Sequence, residues 1–118
     1  MLKGSSAGAT DPTSICTIER ALAWTQGTLG ISLNTGAWTG PLYQNANRLA
    51  HVYWLRSRGV RAWLVHLLFT DDPHSPTSAA EWDEALAAAD DALGLTGVAL
   101  EAAGHVLLPA GSRDELLA

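Results

Sequence analysis

Apolar positions recur at helical spacing in three stretches of the chain and run almost unbroken in two others. Ile15, Ile18, Leu22 and Leu29 fall along one side of a predicted first helix. Asp11 and Pro12 open it, because a carboxylate there accepts free amide hydrogens and a proline in the first turn forfeits no needed donor. Gly30 closes it. Cys16 and Trp24 lie within this helix and are both read as packing residues, since no histidine or other base adjoins Cys16. A loop rich in Gly, Asn and Thr, "GISLNTGAWTG", then leads to a second helix expected to begin near Pro41 with Thr39 or Gly40 as its cap. At about 100° per residue, Leu42, Tyr43, Ala46, Leu49, Ala50, Tyr53 and Trp54 fill one wide arc, and Gln44, Asn47, Arg48, His51 and Arg58 stand opposite. Asn45 intrudes toward the apolar arc and needs a partner if buried.

"RAWLVHLLFT", Arg61 to Thr70, is continuously apolar and short, which predicts a central strand covered on both sides. His66 in its middle is expected to be a core histidine bonded to a neighbour. After the turn-rich "DDPHSPTS", Ser78 and Glu81 form a capping box for a third helix. Trp82, Leu86, Ala89 and Leu93 line one side of that helix, Glu81, Asp83, Glu84, Asp90 and Asp91 crowd the rest, and Gly94 ends it. "GHVLLPA", Gly104 to Ala110, has the length of a second strand, and "TGVALEA" is a candidate for a short third. Strand, crossover helix and strand in this order imply a parallel pair. The fold class is therefore α/β: three amphipathic helices with a small, incomplete sheet containing a parallel strand-helix-strand unit, its strands near 61–70 and 104–109. Two strands are too few to shelter three amphipathic helices. The remaining sheet is expected from a partner chain, from a second copy as a homo-oligomer, or from a missing amino-terminal half. Residues 1–10 read as a disordered start and 11–118 as a single partial domain.

Composition narrows the setting. A chain of 118 residues, 47% hydrophobic, fits one domain. Its longest apolar run, "AWLVHLLF", is far short of the roughly 20 residues that span a bilayer, so no membrane partner is expected. The opening "MLKGSSAGATDPTS" has no apolar core after its lysine and does not read as a secretory signal. A single cysteine excludes an internal disulfide and a cysteine-based zinc site, which makes a cytoplasmic location the expectation. The net charge of −5 is unevenly spread. Up to Thr70, Lys3, Arg20, Arg48, Arg56, Arg58 and Arg61 face only Asp11 and Glu19, whereas Arg113 is the sole cation among all the later acids. No acid stands between Arg20 and Asp71, so the arginines from Arg48 to Arg61 form either a local basic patch suited to phosphate or a solvated helix end.

Candidate chemistry is sparse. Asp71, Asp72 and His74 leave the end of a predicted strand, where α/β proteins commonly place sites, and could hold a divalent ion. Asp-Asp-Pro is equally good turn chemistry. The sequence contains no Gly-x-Ser-x-Gly elbow, His-Glu-x-x-His, phosphate loop or dinucleotide fingerprint, and its one lysine is Lys3.

The stretch "WTGPLYQNANRLAHVYWLRSRGVRAWLVHLLFTDDPHSPTSAAEWDEAL", with "DPTSICTIERALAWTQGTLG" upstream, resembles the carboxy-terminal part of an uncharacterised bacterial family similar to restriction-endonuclease-like (PD-(D/E)XK-type) nucleases. The resemblance implies a complete protein in which an Asp and a Glu-x-Lys on neighbouring strands hold magnesium and orient water for phosphodiester hydrolysis. This sequence has no Glu-x-Lys, so the resemblance implies a truncated domain, inactive alone, with no cofactor of its own and no catalytic residue. It places Gln44 next to the site, and Arg48 occupies the position where related nucleases carry a tyrosine.

Three functions follow. A nuclease-related remnant would keep weak nucleic-acid contact through Gln44, Asn47, Arg48, His51 and Arg58, where amides and arginines suit phosphate and sugar oxygens. A complete small α/β interaction module would instead use its acidic helix, Glu81 to Asp91, on a basic partner. A metal-dependent hydrolase would be built on Asp71, Asp72 and His74.

Overall fold

The computed structural model describes residues 8–111. Helix α1 (Pro12–Thr28) starts as its sequence dictates: the Asp11 carboxylate accepts from the Ser14 amide at 3.0 Å, with Pro12 in the first turn. Gly30, at φ 72°, turns the chain away beyond it. The following loop is not loop throughout. It contains a short helix, α2 (Thr35–Thr39), capped by the Asn34 side chain, which accepts from the Ala37 amide at 3.1 Å. Helix α3 (Tyr43–Ser57) begins two residues later than Pro41 would place it, with Leu42 at its cap position and no side-chain cap bond. Gly40 separates the two helices because a Cβ there would lie 2.8 Å from the Gly36 carbonyl oxygen.

Strand β1 (Leu64–Thr70), helix α4 (Ala79–Ala92) and strand β2 (Ala103–Pro109) complete the order, and the two strands pair in parallel with His66 opposite His105. The Ser78–Glu81 capping box is formed, and Gly94 at φ 74° follows the end of α4. Residues 96–102, a candidate third strand, are instead turns and irregular chain. The fold is thus mixed α/β with an open two-stranded sheet, as the sequence pattern requires. The proposed disorder of residues 1–10 falls mostly outside the described residues.

The core gathers where α1, α2 and α3 meet the end of α4. Trp38 is fully buried, in one cluster with Leu22, Ala46, Leu49, Ala50, Val52, Leu93, Leu95 and Ala102. An indole in such a place must satisfy its N–H, and Trp38 Nε1 donates to the Leu93 carbonyl at 3.0 Å. Gln26, also sealed from solvent, donates through Nε2 to the Leu22 carbonyl at 3.2 Å and accepts the Asn34 amide on Oε1 at 2.7 Å. One side chain therefore ties the end of α1 to the start of α2.

Among the described residues the sheet is covered on one face only, which corrects the expectation of a strand buried on both sides. Leu64, His66, Leu68 and Thr70 turn toward α3 and α4 and are buried or half-buried, whereas Trp63, Val65, Leu67 and Phe69 are exposed by 62, 54, 58 and 52%. Burial alternates along β1 despite its unbroken apolar sequence. Cys16 is exposed too, and Trp24 is 42% exposed, so neither is the packing residue its helix position implied. Helix α1 lies at the edge of the molecule, and only its Leu22, Thr25 and Gln26 are buried.

Three substitutions test the core. Trp38→Phe strands the Leu93 carbonyl and should lower the unfolding free energy by about 1–3 kcal/mol, and Trp38→Ala by about 3–5 kcal/mol. Gly40→Ala forces a methyl against the Gly36 carbonyl and should destabilise by about 1–3 kcal/mol. Urea titration followed by far-ultraviolet circular dichroism measures all three.

Candidate nucleic-acid interface

A cavity of about 760 Å³ is the groove between α1 and α3. Thr17, Ile18, Ala21 and Leu22 form the α1 wall and Tyr43, Ala50 and Trp54 the α3 wall. Arg20 and Trp24 stand one turn apart on α1, and Arg58, which caps the end of α3, lies one turn beyond Trp54. The Arg58 guanidinium carbon lies 5.3 Å from the centroid of the Trp54 ring, a cation–π distance that holds both groups at the rim. Asn47 and His51 add amide and imidazole donors, and no carboxylate lines the groove among the described residues.

Of the residues assigned to nucleic-acid contact, Asn47, His51 and Arg58 come together here. Gln44 is exposed and lines neither this groove nor the second cavity described below. Arg48 belongs elsewhere: it projects from a different side of α3, close enough to His66 for its charge to act on that imidazole. Arg20, Trp24 and Trp54 were not among the assigned contacts. The signal for them was present in two aromatic-arginine pairs at i, i+4 spacing, a separation that places side chains on one helix face.

A second cavity, about 170 Å³, lies between α3, α4 and the covered face of the sheet. Asn45, His66, Asp90 and His105 reach it through walls of Leu49, Leu64, Leu86, Leu93, Leu95 and Leu100. His66 and His105 are its cross-strand pair, each the third residue of its strand. Burial pushes the His66 imidazole below its ordinary value of 6.5, and Arg48 and His105 push the same way while Asp90 opposes them. Burial raises the Asp90 carboxyl above 3.8, and His105 and His66 pull it back. Among the described residues none of these four side chains hydrogen-bonds to protein, so His66 is not the bonded core histidine its strand position implied.

The turn after β1 does not assemble a metal site. The Asp72 carboxylate accepts the His74 amide at 2.9 Å, and the Asp71 amide donates to the Thr77 carbonyl at 3.0 Å while its backbone sits at φ 57°. The first of these bonds closes an Asx turn, the local use of an aspartate side chain that competes with coordination. Among the described residues no three His, Cys, Asp or Glu side chains gather in an arrangement able to hold a metal ion. On α4, Glu81 is engaged with Ser78, and Asp83, Glu84 and Asp91 are exposed. Among the described residues no helix is long and apolar enough to cross a membrane.

Comparison with protein-family models, with curated proteins and with solved structures finds no match to this chain.

The His66 environment sets a pH dependence. The folded protein binds the imidazole proton less tightly than the unfolded chain, so this contribution to stability is complete above about pH 6.5 and is lost as pH falls through the depressed folded value. Asp90 runs the other way, its contribution complete when it is protonated and lost as pH rises through its elevated range. His66→Gln should therefore flatten the fall in Tm between pH 7 and pH 5. Asp90→Asn, which removes the charge opposing the depression, should steepen it. Thermal melts across that range measure both.

Proposed function

We propose that this chain contacts single-stranded nucleic acid along the groove between α1 and α3. The carrying observation is the composition of that groove: two exposed tryptophans and two arginines with Asn47 and His51, and no carboxylate. Tryptophan faces stack on bases of any sequence, and guanidinium groups meet phosphate, the pairing that retains single strands without reading them. A duplex turns its bases inward and offers no partner to Trp24 and Trp54, so the aromatic pair favours the unpaired strand.

The resemblance to restriction-endonuclease-like proteins supports the same class of ligand from an independent direction. It also assigns hydrolysis elsewhere, because such nucleases hold magnesium on the carboxylates of an Asp and a Glu-x-Lys whose lysine orients water, and this sequence carries no Glu-x-Lys. Retention, not cleavage, is the role proposed for these residues. The acids of α4 do not oppose it: α4 shares its cavity with Asn45 and Leu49 of α3, about half a helical turn around from the groove residues Asn47 and Trp54.

Fluorescence anisotropy of a labelled oligothymidylate measures the contact directly. Binding should be detectable at low salt and weaken steeply as salt rises, since displaced counterions return to the strand. Trp54→Ala should weaken binding by about five- to a hundredfold, the range of one lost base stack. Arg20→Glu with Arg58→Glu should abolish it, while Arg48→Glu, outside the groove, should change it little. Absence of binding at low salt, or equal effects of Arg48→Glu and the double variant, overturns the assignment.

A further inference from the structure

We propose that the bare face of the sheet is the docking surface for a second copy of this chain, the two sheets packing face to face about a twofold axis. Val65, Leu67 and Phe69 from β1, with Trp63 just before it, stand beside Val106 and Leu108 from β2, the last two 42 and 39% exposed. Register places Leu67 next to Val106 and Phe69 next to Leu108, so the six form one continuous surface, with Gly104 opposite Val65 as its only small position. No charged residue of either strand interrupts it.

Area and charge both select a copy of the same chain as the occupant. The exposed apolar side chains on this face amount to roughly 500 Å², near the top of what a monomer leaves uncovered. Two such faces brought together bury on the order of 1,000 Å² before their rims are included, which reaches the range of specific interfaces. An uncharged apolar patch is self-complementary, as an isologous contact requires. The ends of β1 are charged with opposite sign: Arg61 precedes the strand, with Arg56 stacked at 5.5 Å on Trp63, and Asp71 and Asp72 follow it. A twofold axis normal to the strands reverses β1 in the partner. The arginine end of each copy then meets the aspartate end of the other, whereas a parallel arrangement would set like charges together.

Sedimentation equilibrium of the full chain from 1 to 200 μM tests this, with a dimer of twice 12.4 kDa expected. Leu67→Lys puts a charge at the centre of the face on a side chain already 58% exposed, so the fold survives; it should weaken association at least a hundredfold. Arg61→Glu should weaken it roughly tenfold at low salt and much less at high salt, where screening removes the end-to-end attraction. Circular dichroism confirms that both variants are folded. A monomer at every concentration, as when residues 112–118 or another molecule cover the face, overturns the proposal, and so does a dimer indifferent to Leu67→Lys. The folded Leu67→Lys chain keeps its α1–α3 groove, so oligonucleotide anisotropy on it reports the nucleic-acid reading separately.

Discussion

The indole of Trp38 is the joint on which the molecule turns. It lies in a five-residue helix between two long ones, fully buried, and its single proton reaches the carbonyl of Leu93 at the far end of the crossover helix. That bond spans 55 positions of sequence and connects the helical part of the chain to the strand-helix-strand part. By seating α2, it sets where α1 comes against α3 and therefore the walls of the groove. By holding the end of α4 against the same core, it gathers the helices on one side of the sheet. Among the described residues the other face is left without a layer.

Much of this architecture is legible in the sequence because it is local. Asp11 with Pro12, Ser78 with Glu81, and the glycines at 30 and 94 act within a turn of their own positions, and each sits where its chemistry predicts. The parallel pairing follows from element order alone. The rest depends on what lies across from a residue, which spacing does not encode. An unbroken run such as "LVHLLF" reads as doubly covered, yet among the described residues no element packs on Val65, Leu67 and Phe69, and burial becomes alternate. Cys16 and Trp24 sit in an amphipathic helix whose other neighbours are too few to enclose them. The helix α2 was hidden among Gly, Thr and Asn because its stability comes from Trp38, not from propensity.

The candidate site divides in the same way. Asn47, His51 and Arg58 were identifiable from one helical face, but the partner wall supplied by Arg20 and Trp24 required knowing that α1 lies alongside. Arg48, one residue from Asn47 in sequence, does not line the groove, since successive helical positions point about 100° apart. The pairing of His66 with His105 was not legible, because the strands read from sequence begin at Arg61 and Gly104 and only the structural register makes the two imidazoles neighbours.

The bare face of the sheet also bears on how the chain behaves before it meets anything. Six consecutive residues, Leu64 to Phe69, combine high strand propensity and hydrophobicity with no formal charge when His66 is neutral. Such segments stack on identical copies into cross-β fibrils when their edges stay open. Proline is absent from this run, and no glutamate or lysine acts as a gatekeeper within it. A solitary newly made chain consequently presents a fibril-forming segment for as long as that strand stays uncovered.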